Sequence, residues 1–212
     1  MMSAIRDCSI SLREFLLRQL RDDPQLSPFF DPTDPNVDAV GTLGVLLDTP
    51  QELEDHASEG ISLWLYLVQR DEHALNRPPR RVGLERIEAQ PLPLRLHYLV
   101  TPIVDREARS NASELEQLIL GKALQVFHDD TSLHGARLRG SLAGSGLELF
   151  VRLEPLSLEE ITRVWDALDK PYQLCVSFEV SVLPICSARE QTLARPVLQV
   201  LAEAGAASAA QP

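Results

Sequence analysis

The segment Leu156–Ile185, LSLEEITRVWDALDKPYQLCVSFEVSVLPI, constrains the fold more than any other part of the chain, because its hydrophobic period switches once from helical to extended. Ser157 followed three residues later by Glu160 makes a capping box, in which hydroxyl and carboxylate each satisfy an orphan backbone N–H of a first helical turn. Ile161, Val164, Trp165 and Leu168 then line one apolar face, and Lys170-Pro171 ends the run. From Tyr172 the period drops to two. Tyr172, Leu174, Val176, Phe178, Val180 and Val182 point one way and Gln173, Cys175, Ser177, Glu179 and Ser181 the other, which predicts a long strand with one buried face. A strand with one buried face fits a sheet packed against helices.

The rest of the chain supplies those parts. Ile5, Cys8, Leu12, Phe15 or Leu16, and Leu20 form a helical stripe after Ser3, a candidate N-cap, and the helix should stop before Asp23-Pro24. Residues 23–41 are rich in proline and aspartate and read as an irregular surface loop. Val40–Leu47 predicts a first strand. Ile61–Val68, apolar on both faces apart from Ser62, predicts a central strand covered on either side. Residues 69–91 read as an exposed excursion. Leu92, Leu94, Leu96, Tyr98 and Val100 mark another strand, with Pro93 placing its beginning at an edge or leaving it unpaired on one side. Ser113 and Glu116 repeat the capping-box spacing ahead of a helix with Leu115, Leu118, Ile119, Leu120, Ala123, Leu124 and Phe127 on its apolar face, where Gly121 suggests close packing. Residues 135–146 read as a flexible glycine-rich turn, and Leu147, Leu149, Val151 and Leu153 as a strand. Trp165, Phe178 and Leu149 are expected to share one core.

This order predicts a single α/β domain of the α+β kind over residues 1–190, a mixed or largely antiparallel sheet packed against helices. Residues 191–212 form an alanine-rich tail, expected to be flexible.

Charge and motifs narrow the chemistry. The chain of 212 residues carries 31 acidic against 20 basic side chains, a formal net charge of −11, which disfavours a nucleic acid partner. No window approaches the ~18 consecutive apolar residues of a membrane span, and MMSAIRDCSISLREFLLRQL lacks a signal-peptide pattern, so cytoplasmic synthesis is the expectation. Three cysteines, Cys8, Cys175 and Cys186, follow no metal-ligand spacing and read as reduced structural thiols. His128, Asp129, Asp130 and His134 are the densest set of metal-ligand types, but a solvated helix end accounts for them better. The glycine-rich stretch from Gly140 to Gly146 lacks the ending of a P-loop and the register of a nucleophile elbow. His97 falls on the polar face of its strand and reads as a surface or interface histidine. No catalytic, cofactor-binding or metal residue is assigned. The one basic cluster is Arg77, Arg80, Arg81 and Arg86, a candidate partner interface in an otherwise acidic chain, against the plainer reading of a solvated loop.

Taken with Trp64-Leu65-Tyr66-Leu67-Val68, Leu96-His97-Tyr98-Leu99-Val100-Thr101-Pro102 and Leu120-Gly121-Lys122-Ala123-Leu124, the segment at 156–185 resembles the N-terminal domain of tail terminator (cap) proteins from extracellular contractile injection systems. The resemblance covers about residues 1–190 and rests on the order of the whole set of hydrophobic motifs. It implies a structural protein and not an enzyme. It also implies a ring of identical copies, six in number, on the last layer of inner tube and contractile sheath, assembled in the cytoplasm as part of a releasable particle without cofactors. The alternatives are a small-molecule-binding or hydrolytic enzyme with scattered residues, or another subunit of the same apparatus such as a tube or baseplate adaptor.

Overall fold

A computed structural model describes residues 2–74, 80–82, 86–88, 90–186 and 191–192. The chain opens with helix α1 (Ala4–Arg21), followed by a short helical turn α2 (Ser27–Phe30), strand β1 (Gly44–Leu46), helix α3 (Pro50–Asp55) and strand β2 (Gly60–Arg70). Next come β3 (Arg80–Val82), β4 (Arg86–Glu88), the long β5 (Leu92–Ile103), helix α4 (Ala112–Asp129), β6 (Ser132–His134) and β7 (Glu148–Glu154). Helix α5 (Leu158–Asp166), β8 (Val176–Ile185) and β9 (Gln191–Thr192) complete the described elements. Six strands form a mixed sheet in the order β1-β2-β5-β8-β7-β6, in which β1–β2 is the parallel pair, while β3, β4 and β9 form a separate antiparallel sheet.

The expected α+β architecture is present, with β5 near the middle of the sheet. One face carries the main core: Leu63 lies opposite Val100, Leu65 opposite Tyr98, Tyr98 opposite Phe178, and Val151 opposite Val180. Leu12, Leu16, Ile119, Ala123 and Phe127 from α1 and α4 close over it. The other face carries a smaller cluster, Leu99, Trp165 and Cys175, edged by Trp64, Tyr66, Ile161, Val164 and Leu168 under α5. Trp165 therefore does not share a core with Phe178 and Leu149. The strand alternates side chains between faces, and α5 returns across the side opposite α1 and α4.

Local chemistry explains most of the boundaries. Ser157 and Glu160 form both bonds of a capping box at α5, and Thr49 with Glu52 does the same at α3, a helix that periodicity alone did not indicate. At α4 the capping residue is Asn111, not Ser113, and Glu116 instead accepts from Arg106 Nη2 at 3.1 Å. Gly121 faces open space, so close packing is not its role. β8 starts at Val176, four residues later than its period suggests, because Tyr172 and Leu174 lie in the α5–β8 connection, where both are exposed. Residues 23–41 are more than a surface loop, since Leu26 and Phe30 are fully buried beneath α1. Pro93 pairs in register with Pro184, and its carbonyl accepts from Asp71 N–H just beyond the end of β2, so the missing amide donor is lost only at the frayed end of the ladder.

Two glycines are required by geometry. Gly60, at φ +144, crosses β1 so closely that a Cβ would sit 2.0 Å from the Gly44 carbonyl oxygen. Gly140, at φ +56, lets the backbone turn over Asp7, where a Cβ would meet the carboxyl carbon at 2.5 Å. The glycine-rich segment is thus a structured clasp. Asp7 is buried in α1 and accepts from Ser141 N–H at 2.8 Å, Ser141 Oγ at 2.7 Å and Ser3 Oγ at 2.8 Å, and Leu138 and Leu142 enter the main core. These bonds, with those from Arg6, hold the Asp7 carboxyl well below the usual carboxylate range.

Candidate functional site

The face of the sheet that α5 only partly covers collects the polar side chains. Beyond the Trp165 cluster, β2, β5, β8 and β7 present Tyr66, His97, Ser177 and Glu154, brought together by the pairings His97–Glu179 and Ser177–Glu154. Glu154 Oε2 accepts from Ser177 Oγ at 2.7 Å and Tyr66 Oη at 3.1 Å, and lies 3.0 Å from His97 Nδ1. Tyr66 Oη and Ser177 Oγ are 3.0 Å apart, and the Tyr66 ring meets the His97 ring edge-on. Burial opposes ionisation of Glu154, yet the bonds from His97, Ser177 and Tyr66 outweigh it and lower the carboxyl. Burial, reinforced by the neighbouring carboxylate, pushes the Tyr66 hydroxyl up to about 12.

His97 is accordingly not the surface histidine that strand alternation suggests. It is 4% exposed, and its Nε2 makes no hydrogen bond among the described residues. A histidine–serine–carboxylate set invites comparison with a hydrolase triad, but the order is wrong for one. In a triad the imidazole stands between nucleophile and acid. Here the carboxylate stands between the other two, and Ser177 is 2% exposed. The arrangement pins four strands together and bonds Ser177 to the carboxylate instead of the imidazole.

Beside this network runs a second, more open one. Arg95 Nη2 bonds Asp71 at 3.1 Å and Arg95 Nη1 bonds Glu179 at 3.2 Å. They border a depression of about 480 Å³ shared with Phe150, Arg152 and Glu154. Its lining mixes the Arg95–Asp71 and Arg95–Glu179 pairs with Arg152 and Glu154, so both signs of charge are present and no single charge awaits a ligand. Among the described residues no group of His, Cys, Asp and Glu is placed to hold a metal ion. Asp130 of the His128–His134 stretch instead takes Arg137 at 2.7 Å. Cys8 and Cys175 are buried and Cys186 is exposed, all as free thiols; burial raises Cys8 to about 12 and raises Cys175 as well.

The candidate arginines fall on the second, smaller sheet or outside the described residues. Arg77 lies outside the described residues. Arg80 and Arg81 are in β3 and Arg86 is in β4, with Arg80 in register with Glu88 and Arg86 opposite Thr192 of β9. What appeared as an exposed excursion in the sequence therefore contains a hairpin joined to a third strand from the far end of the chain. The residues that sequence reasoning missed, Tyr66, Glu154 and Ser177, belong to strands whose pairing partners are remote in sequence, and only the cross-strand register unites them. No described helix is long and apolar enough to cross a membrane.

Comparison with known proteins bears on this sheet as a whole. A sequence search of curated proteins finds no significant match. Among solved structures the chain is similar to the sheath/tube terminator of the PVC extracellular contractile injection system in its extended state. The two share 16% identity at a TM-score of 0.56, over 95% of this chain and 65% of that one. It is also similar to the tube-terminating cap of the anti-feeding prophage, with 15% identity and a TM-score of 0.58, over 89% of this chain and 58% of that one. The chain thus spans less than two thirds of the length of either structure, and at these identities the likeness is one of fold. The model of the Pvc16 N-terminal domain family matches residues 9–199, nearly the whole chain and every strand of the main sheet, and the chain belongs to that family.

Proposed function

We propose that this chain terminates the inner tube and sheath of a contractile injection particle. The observation that carries the reading is membership of the Pvc16 N-terminal domain family across the entire main sheet, together with a shared fold with two tube- or sheath-terminating proteins. A terminator needs one face complementary to the repeating subunit and another that offers no site for further addition, which stops a heterologous stack. It needs no catalytic group, and the Ser177–Glu154–His97 order places the carboxylate, not the imidazole, against the serine hydroxyl. On this reading the chain assembles in the cytoplasm as a ring of six copies, contacts the terminal sheath and tube subunits, and leaves the cell within the particle.

The arginine cluster at Arg77, Arg80, Arg81 and Arg86 is the proposed contact with a neighbouring copy or with the terminal layer, since guanidinium groups pair bidentately with carboxylates and are weakly hydrated. Deletion of the gene for this chain tests the assignment. Particles should lose the density at the end of the tube and vary in length in electron micrographs, and mass spectrometry of intact particles should detect the polypeptide in wild-type preparations. Particles of uniform length from the deletion strain would overturn it.

A further inference from the structure

The main sheet ends in two strands that are each covered only in part. At one end β1 pairs with β2 over Gly60–Ser62, and from Leu63 onward β2 has no outer strand among the described residues. An irregularity at Tyr66, between the pairs Leu65–Tyr98 and Leu67–His97, interrupts that edge and leaves Leu67–Arg70 as its last straight stretch. At the other end β6 pairs with β7 over Glu148–Phe150, Val151 N–H donates to the Thr131 carbonyl, and Arg152–Glu154 follow without an outer strand among the described residues. Both bare stretches carry exposed apolar side chains, Leu67 and Val68 on β2 and Leu153 on β7. Beside the β7 edge, between it and α4, lies an apolar groove of about 420 Å³ lined by Leu124, Phe127, Val151, Leu153 and Phe178.

We infer that these two edges are each other's partners: β7 of one copy pairs with β2 of the next, making the sheet continuous around a ring. This rests on the terminator reading and supplies its ring contact. Strand direction is compatible. β2–β5, β5–β8 and β8–β7 are all antiparallel, so β2 and β7 run in opposite senses, and successive copies related by rotation meet with antiparallel edges. The side chains are compatible too. Val68, opposite Leu96, and Leu153, opposite Phe178, belong to the face that α1 and α4 cover. Setting Val68 opposite Leu153 therefore delivers an apolar side chain to the apolar groove.

In that register Arg152 faces Gln69 and Glu154 faces Leu67, so no like charges meet. Arg70 is carried toward the C-terminal end of α4 at Asp129, where the carboxylate and the last carbonyls are both negative. A contact between different patches of identical subunits repeats around an axis and closes as a ring, or it runs on as a filament. An edge strand with exposed apolar residues is an unprotected template in a monomer and a ready joint in an oligomer.

Cysteine cross-linking in assembled particles tests the pairing. Val68→Cys and Leu153→Cys are combined with Cys186→Ser, which removes the exposed native thiol. Directly opposed residues lie within reach of a disulfide or a short bis-maleimide. The expected result is a ladder of covalent multimers on a non-reducing gel from the double-cysteine chain and no ladder from either single-cysteine chain. Capped particles that contain the double-cysteine chain but yield no multimers would overturn the edge pairing and leave the terminator reading standing. Particles that never contain the wild-type chain would remove both. As a second arm, Val68→Lys with Leu153→Lys should leave the thermal midpoint of the isolated protein within about 2 °C while abolishing caps; normal caps from this variant would also overturn the pairing.

Discussion

The two faces of one sheet solve different problems. The face under α1 and α4 is apolar: Phe15, Phe127 and Phe178 pack across it, with Phe127 and Phe178 centroids 4.8 Å apart, most of the apolar side chains there are fully buried, and it opens beside β7, where Leu153 is exposed. The face under α5 is only partly apolar. It buries Leu99, Trp165 and Cys175, with Trp165 Nε1 donating to Cys175 Sγ at 3.4 Å, and then passes into the Tyr66–His97–Glu154–Ser177 network and the open Arg95 pairs. The first face is held by apolar packing, whereas the second is ordered largely by directional bonds that bury His97 and Ser177 and opens at the depression beside Arg95. That division leaves one surface free to meet other molecules without unfolding the other.

The comparison can be broken by mutation. Phe178→Ala and Trp165→Ala should each destabilise by ~3–5 kcal/mol in chemical denaturation, the range for truncating a buried aromatic. Because the two rings belong to different clusters, the double variant should equal the sum of the singles within about 0.5 kcal/mol. A large coupling energy would mean that the two faces are a single core after all.

A smaller effect is expected at the clasp on the apolar side. Gly140→Ala forces a Cβ against Asp7 at a left-handed backbone position and should cost ~1–3 kcal/mol. The same clasp sets a pH dependence. The folded pKa of Asp7 is depressed, so its contribution is complete above its unfolded value of about 4 and is lost as pH falls below it. Thermal melts should therefore show a decline below about pH 4 that Asp7→Asn flattens; identical acid profiles for wild type and variant would remove the clasp from the account.

The smallest effect on stability belongs to the proposed docking patch. On that proposal Arg80→Glu with Arg81→Glu should change stability by no more than ~0.5 kcal/mol per site, while producing particles of uncontrolled length. Normally capped particles of normal length would return these arginines to the role of a solvated hairpin and confine the docking surface to the sheet.

How much of this was legible beforehand depends on the range of the interaction. The α5 capping box, the α1 stripe and the two-residue period of β5 and β7 are contained within a few residues, and the chain's own hydrophobic order was enough to place it beside tail terminators. The Thr49–Glu52 box is equally local, but the six residues of α3 are too few to show a period beside it. Ser113–Glu116 had the right spacing and formed no cap, since the backbone entered the helix two residues earlier at Asn111 and Arg106 claimed the Glu116 carboxylate. A local pattern states what a segment can do. A competing partner from elsewhere decides whether it does.

Side-chain period and charge were enough for the longer helices and strands, the α+β class and the acidic, motif-poor composition, whereas the short elements α3, β3, β4 and β6 left no period to read. Which face each helix would cover was decided only by the tertiary structure, and with it the separation of Trp165 from Phe178. The burial of His97, the meeting of Tyr66, Glu154 and Ser177, and the bare ends of β2 and β7 were likewise settled there. Those properties depend on the order in which strands pair across the sheet, and pairing between residues many positions apart is fixed by the burial of the whole core rather than by any segment within it.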